Sequence, residues 1–386
     1  MIVPSLPIMI AIAVLLVLAL VTPLFCPFFR KIEDEDPASS EAKPLSVILT
    51  VHDEAQQLET VIDKFLTQQY NADYQVVVVV DEGDAASLDV LKRVGDNDRL
   101  YFTKLPTSSR YLSRKKLAVT IGLRAAKYDW CVLADVSCMP ADNQWLASFA
   151  RYISDDVNLV MGITPFTSST NAYYRYDNLR TMLYHLRTAQ RGTAFSTNQS
   201  LVALRKDDFF AHQGFAGNLE YQRAEFELIV NKLAQRGRTA LALAPEAWLP
   251  LRRPTSKEWL YRHMHCIDSF KSMKRALPFR LLYHADLWAM HIYNLLTIVA
   301  IACGIYLMLT SDQPSWDGMI LAAAALVAWL LSFVIRCCIY APVLRRFDGV
   351  HPVAAVMLDW LVSWRNLGIR LSYLSTDKYD FMTHRL

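Results

Sequence analysis

Three stretches of the chain are continuously apolar, and between the first and second of them short apolar runs alternate with amphipathic ones. Residues 1–29 carry no charged side chain. Within them, residues 8–25 (IMIAIAVLLVLALVTPLF) come close to the roughly 20 residues that about 30 Å of hydrocarbon requires. Residues 287–309 and 318–340 are similarly long and almost uncharged, so the chain predicts three transmembrane helices. The basic pair Arg30 and Lys31 follows the first run rather than preceding it, which argues against a cleaved signal peptide. Arg336 lies near the end of the third run, from where it can snorkel to the headgroups. The connection 310–317 has no Lys or Arg, whereas Arg30, Lys31, Lys271, Lys274, Arg275, Arg280, Arg345 and Arg346 flank the other ends. The positive-inside rule then puts residues 30–286 in the cytosol and 310–317 outside, in a multi-pass protein of the cytoplasmic (inner) membrane. Over residues 351–375, Val353, Val356, Trp360, Trp364, Leu367, Leu371 and Leu374 recur at three- and four-residue steps, with Asp359, Asn366 and Arg370 between them. That predicts an amphipathic helix lying in the interface, with a fourth span as the alternative.

The cytosolic segment has a different rhythm. Residues 30–43 are charged, lack aromatics and contain Pro37, as a linker would. The β-branched runs 45–51 and 75–80 are too apolar for half-exposed strands, and residues 54–69 between them put Leu58, Val61, Ile62 and Phe65 on one helical face. Two buried strands around a crossover helix make a parallel βαβ unit. The alternation continues through a helix near 86–94, a strand at 100–104, a helix over 114–127 capped by Ser113, and a strand at 130–135. These elements predict an α/β domain with a mainly parallel sheet over residues 44–250, with a juxtamembrane helical segment at 251–286. No GxGxxG succeeds the first strand, which excludes the dinucleotide-binding fingerprint there.

Composition agrees with this division. Of the 386 residues 53% are hydrophobic and 20% charged, against about 45–50% and 25% for an ordinary soluble chain. Lys and Arg number 40 against 37 Asp and Glu, a net +3, too balanced for a nucleic-acid-coating protein. The seven cysteines are odd in number and scattered, without a CxxC pair, so neither a disulfide framework nor a zinc site is indicated.

In open α/β sheets, ligands bind beyond the carboxyl ends of the strands, and here those ends are acidic. His52, Asp53 and Glu54 come after the first strand, Asp81, Glu82 and Asp84 after the second, and Asp135 and Ser137 after the fourth. Such a rim suits a ligand with hydroxyl and N–H donors and a pyrophosphate bridged by a divalent metal, which describes a nucleotide sugar.

These residues resemble the family 2 glycosyltransferases of the GT-A fold, especially their membrane-anchored bacterial members, over residues 44–250. SVILTVHDEAQQLETVIDKFLTQQY is similar to the family's opening strand, acidic turn and helix, and VVVVVDEGDAAS to its second strand and base-binding turn. RKKLAVTIGLRAAKYDWCVLADVSCMP resembles the lysine-containing helix that leads into the metal-binding DxD strand, and NQWLASFARYISDDVNLVMGI resembles the family's next segment. The resemblance implies a nucleotide-sugar donor, a UDP-sugar foremost, with Glu54 and Asp81 or Glu82 contacting uracil or ribose. It also implies a Mg²⁺ or Mn²⁺ and pyrophosphate site at Asp135 and Ser137, Lys116 or Lys115 as a supplementary cation, and Glu225 as the base of an inverting transfer. The membrane hairpin and the interfacial helix would bring the site close to the bilayer, so the expected acceptor is a lipid or lipid-linked glycan at the cytoplasmic face.

The chain departs from the family's pattern at several points. The DxD position reads Asp135-Val136-Ser137, and the acceptor motif reads Ala224-Glu225-Phe226-Glu227-Leu228, with Glu for the usual Asp. The QxxRW box of polysaccharide synthases is not readable in residues 256–266, where Trp259, Arg262 and His265 are loose candidates. These changes keep open the alternative of a catalytically impaired, nucleotide-sugar-binding or scaffolding subunit of an envelope polysaccharide assembly complex.

Overall fold

A computed structural model describes residues 4–33, 41–106, 113–310, 315–347 and 349–376. The chain divides into two compact units, a helical one of residues 1–31 and 277–365 and a sheet-containing one of residues 32–276 and those from 366 on. The helical unit opens with α1 (Leu6–Val21).

The sheet-containing unit begins as the hydrophobic pattern predicts. β1 (Leu45–Val51), α2 (Ala55–Leu66), β2 (Tyr74–Asp81), α3 (Ala85–Val94), β3 (Leu100–Leu105), α4 (Arg114–Ala125) and β4 (Trp130–Asp135) alternate, and all four strands are parallel. Every residue of β1 is buried, as a parallel strand covered on both faces must be. The remainder is α5 (Trp145–Ala150), β5 (Leu159–Met161), α6 (Ala172–Arg191), β6 (Leu201–Arg205), α7 (Lys206–Ala211), α8 (Glu225–Leu233), β7 (Thr239–Leu241) and α9 (Ser256–Ser269). The strands form one seven-stranded sheet in the order β3-β2-β1-β4-β6-β5-β7, with β6 antiparallel to both β4 and β5. The sheet is therefore mixed but mainly parallel. α8 ends at Leu233, where Ala234 turns extended (φ −58°, ψ 132°).

Register lines up the strand ends. Thr50 of β1 lies opposite Val79 of β2 and Asp135 of β4, and Val51 opposite Val80. The residues after β1, Asp81 at the end of β2 and Asp135 at the end of β4 thus share one rim. α4 lies close against this sheet, since a Cβ on Gly122 would meet Ile48 Cγ2 at 2.6 Å. Lys115, seven residues earlier, is on the same helical face.

In the helical unit, α10 (Ala276–Thr310) and α11 (Trp316–Arg346) extend beyond the apolar runs that predict them, and α12 (Pro352–Ser375), which belongs to this unit as far as residue 365, comes after them. α1 with its short extension to Phe25, α10 and α11 are each long and apolar enough to cross a bilayer. α10 and α11 approach backbone to backbone: a Cβ on Gly304 would meet the Gly318 carbonyl at 2.7 Å, the small-residue contact that membrane helices favour. Leu15, Ala19, Tyr293, Ala325 and Ala328 form this unit's apolar core.

Two expectations are corrected here. Arg336 does not snorkel. It is 3% exposed, its Nη1 lies 3.9 Å from Asp359 Oδ2, and it also donates to the Tyr340 hydroxyl at 3.4 Å. α12, expected as an amphipathic helix with Asp359 among its polar positions, buries that carboxylate while Val353, Trp364, Leu367 and Leu371 are exposed. A buried charge needs a partner more than an apolar side chain needs cover from its own chain, so the pairing sets the helix's rotation. The expected linker 30–43 and connection 310–317 lie partly outside the described residues.

Candidate active site

The rim beyond β1, β2 and β4 separates into two clusters. The first surrounds Asp81. Arg114, the first residue of α4, donates to Asp81 through Nη2 at 2.7 Å and Nε at 3.2 Å, and His52 Nδ1 is also hydrogen-bonded to it. Burial pushes the Asp81 carboxyl up, but the hydrogen bonds from His52 and Arg114 outweigh it and hold it below its ordinary 3.8. The Asp81 hydrogen bond raises His52 above its ordinary 6.5 against the opposing effect of burial. Asp84 is structural: it caps α3 by accepting from Ser87 N at 3.0 Å and accepts from Asp53 N at 3.0 Å. Glu82 is exposed at the same turn.

The second cluster surrounds Asp135. Lys115 Nζ lies 2.6 Å from Asp135 Oδ2, and Ser137 N donates to Oδ1 at 2.9 Å. Burial pushes the Asp135 carboxyl up, yet the Lys115 ammonium prevails and holds it well below the usual range. Burial and the neighbouring Asp135 charge push Glu54 the other way, to about 7, so Glu54 is partly protonated near neutrality. Arg223 acts on Asp135, Glu54 and Lys115, and Glu225 acts on Lys115.

Arg252 reaches this cluster from far along the chain. An isolated bridge pairs Cys138 with Leu251, and Arg252 N donates to Ser137 O at 3.1 Å. The Arg252 side chain then donates to Ser137 Oγ at 3.2 Å and to Glu258 Oε1 at 2.6 Å.

Glu225 is the first residue of α8 and is 4% exposed. Its Oε1 has no hydrogen-bond partner. Buried carboxylate oxygens are ordinarily satisfied, because an unmade hydrogen bond costs about 1–3 kcal/mol or more. Ala224 before it is left-handed (φ 78°, ψ 38°), a strained conformation for a residue with a Cβ. Glu227, two residues on, is held apart: it accepts from Cys266 Sγ at 3.7 Å, and burial raises its carboxyl.

The sequence-predicted residues are thus brought together unevenly. Glu54, Asp135, Ser137 and Glu225 share a neighbourhood, whereas Asp81 belongs to the adjacent cluster and Glu82 to its rim. Lys116 serves elsewhere. Its ammonium donates to the carbonyls of Asn218, at 2.7 Å, and Tyr221, and burial lowers it to about 8. Lys115 takes the position beside Asp135, although only the run Arg114-Lys115-Lys116 marks it in the sequence. Three basic residues in a first turn oppose the helix dipole, which is a signal that their partners lie elsewhere. Arg223 and Arg252 carry no local signal. Trp259 stacks on Tyr174 (centroids 4.4 Å apart), Arg262 donates to the Asn198 carbonyl, and burial lowers His265 to about 3; these three support the packing of α9.

Asp135 and Ser137 are the residues that would hold a divalent metal beside the donor diphosphate. They are engaged by Lys115 and Arg252, and among the described residues no three His, Cys, Asp or Glu side chains form a group that could hold a metal ion.

No curated protein matches this chain. Among solved structures, a mannosyltransferase (PcManGT) from Pyrobaculum calidifontis, in complex with GDP-Man and Mn²⁺, is similar at 17% identity and a TM-score of 0.53. The match covers 85% of this chain and 98% of that one. TarS residues 1–349 from S. aureus, in complex with UDP, aligns at 11% identity and a TM-score of 0.43, over 76% of this chain and 90% of that one. The sheet order and the first of these likenesses identify the fold as GT-A. Residues 46–213, which run from the second residue of β1 past β6 and contain the Asp81 cluster and Asp135, match the model of Glycosyl transferase family 2: the chain carries a family 2 glycosyltransferase domain and is a glycosyltransferase.

Proposed function

We propose that this glycosyltransferase is inverting and moves a sugar from a nucleotide-sugar donor, a UDP-sugar foremost, to a hydroxyl of a lipid or lipid-linked glycan at the cytoplasmic face of the membrane. The observation that carries the reading is the buried, unpartnered Oε1 of Glu225 near the Lys115–Asp135 pair. Glu225 accepts the acceptor hydroxyl proton as that oxygen attacks the anomeric carbon. The bond from that carbon to the diphosphate oxygen breaks as the new one forms, and the electron pair leaves with the nucleoside diphosphate. Lys115, Arg252 and Arg223 neutralise the leaving charge, a role for preorganised cations in a partly desolvated site. Glu54, protonated in part, and the remaining lone pair of Asp81, with Glu82 at the rim, meet the nucleoside. No step is assigned to a divalent metal, because its expected ligands are engaged by cations.

The lipid acceptor is supported by the three helices long enough to cross a bilayer, and the cytosolic side by the basic flanks and the Lys- and Arg-free connection. The test is transfer from UDP- and GDP-sugars to a membrane lipid extract by the purified full chain. Glu225→Gln should cut the rate about 10²–10⁴-fold, the usual worth of a general base, with nucleoside diphosphate affinity within twofold. Glu227→Gln should transfer like wild type. Equal rates in all three proteins would remove Glu225 as the base.

A further inference from the structure

Residues 212–224, between α7 and α8, form turns and bends rather than helix or strand, with Gln213, Gly214, Gly217 and Ala224 at positive φ. Such a loop has no hydrogen-bond ladder of its own to fix its course, so side chains of its neighbours must do it. At its start Lys232 donates to the carbonyls of Gly214, at 2.7 Å, and Ala216, at 3.2 Å. Lys232 belongs to α8, so these bonds only fold the loop back on the helix it precedes. At its end the partners come from α4. Lys116 Nζ donates to the Asn218 carbonyl at 2.7 Å and to the Tyr221 carbonyl, and Ser113 Oγ donates to the Gln222 carbonyl at 2.6 Å while it accepts from Lys116 N at 3.3 Å. Arg223 and Glu225 come directly after these anchored residues.

Lysine is a poor choice for packing alone at this position. Lys116 is 1% exposed and is held by neutral carbonyls, and burial lowers its ammonium to about 8. An apolar side chain of similar volume would avoid that desolvation. What the ammonium adds is geometry, because together with Ser113 it fixes the carbonyls of residues 218, 221 and 222. Lys115, the preceding residue of α4, is paired with Asp135, and Arg223 and Glu225 both act on Lys115. The first turn of α4 thus grips the end of β4 with one lysine and the loop that carries Glu225 with the next. Displacing a catalytic group by about 1 Å can cost on the order of 10²-fold in rate, so the grip bears on the reaction. We propose that Lys116 and Ser113 are positioning residues, which clasp residues 218–222 to α4 and so set Arg223 and Glu225 against the Lys115–Asp135 pair. Their role in transfer rests on that of Glu225 as the base.

Hydrogen exchange and sugar transfer, both measured on the full chain in detergent, test the clasp. Lys116→Met keeps the side-chain volume and removes the donors. In that variant residues 212–224 should exchange at least fivefold faster, while residues 45–80 keep their wild-type rates. Transfer from UDP- and GDP-sugars to a membrane lipid extract should fall at least tenfold, with UDP and GDP affinity within twofold of wild type. Ser113→Asp still accepts from Lys116 N as a cap but cannot donate to the Gln222 carbonyl, so it should show the same split. Ser113→Thr keeps the hydroxyl and should behave like wild type. The two Ser113 variants decide the matter if Lys116→Met does not fold. Unchanged exchange in residues 212–224, exchange that quickens equally in residues 45–80, or nucleoside diphosphate affinity that falls as far as the transfer rate would overturn the proposal. If Glu225→Gln transfers like wild type, Glu225 falls as the base, and the clasp is then judged on exchange alone.

Discussion

Lys115 Nζ lies 2.6 Å from Asp135 Oδ2 at the end of β4, so an ammonium is paired with the carboxylate that was expected to hold a metal. If this cation meets the donor diphosphate, removing it should weaken binding. Losing one charged hydrogen-bond partner costs about 1.5–3 kcal/mol, or on the order of ten- to a hundredfold in affinity. Lys115→Gln should therefore bind UDP or GDP at least tenfold more weakly by calorimetry. Lys116→Gln should bind normally and melt earlier, because it frees the carbonyls of Asn218 and Tyr221. Equal weakening by both variants would mean that the pair only supports α4.

Ser137 gives a second handle on the same question. A hydroxyl held by Arg252 is a weak ligand for a hard divalent ion, which prefers carboxylates. Ser137→Asp supplies the missing one. In that variant Mn²⁺ should tighten UDP binding more than tenfold, whereas in wild type the change should stay under twofold. A wild type that responds as strongly as the variant would show that Asp135 recruits a metal despite Lys115.

The Asp81 cluster predicts a pH dependence whose sign is set by linkage. His52 is raised above 6.5 when folded, so its contribution is complete below 6.5 and is lost as pH rises through the raised value. Asp81 is lowered below 3.8, so its contribution is complete above 3.8 and is lost as pH falls through the lowered value. The difference in melting temperature between wild type and His52→Gln should therefore be largest between these limits and shrink toward alkaline pH. A difference that grows from pH 6 to pH 9 would show that the His52–Asp81 bond does not stabilise the fold.

The sequence made the first half of the sheet legible because β1, β2 and β4 are long apolar runs, each closed by an acidic end. β5 and β7 are three residues each, too short for a periodic signal, and their order is set by long-range pairing. The site was legible where one residue type sits at a strand end, as with Asp135. It was not where the answer depends on a helix's rotation: Lys115 and Lys116 are neighbours, and the close approach at Gly122 decides which of them meets Asp135. Arg252 arrives only through the Cys138–Leu251 bridge. Arg336 misled for a related reason, since a charge near the end of an apolar run looks the same whether its partner is a headgroup or a buried Asp359.

Ala224 offers a test of how Glu225 is held. The left-handed conformation costs a residue with a Cβ about 1–2 kcal/mol, and alanine at this position also provides no side-chain cap for α8. Glycine adopts the same angles freely and is the better N-cap. Ala224→Gly should therefore raise stability by about 1 kcal/mol in denaturant titrations of the detergent-solubilised chain. The first bond of α8, Leu228 N to the Ala224 carbonyl at 2.9 Å, uses only backbone, so the helix should start at the same residue and transfer should stay within twofold of wild type. Ala224→Val should do the opposite on both counts, because a β-branched side chain tolerates these angles least. A glycine variant that is less stable than wild type would mean that the alanine methyl, 4% exposed with its residue, packs well enough to outweigh the strain.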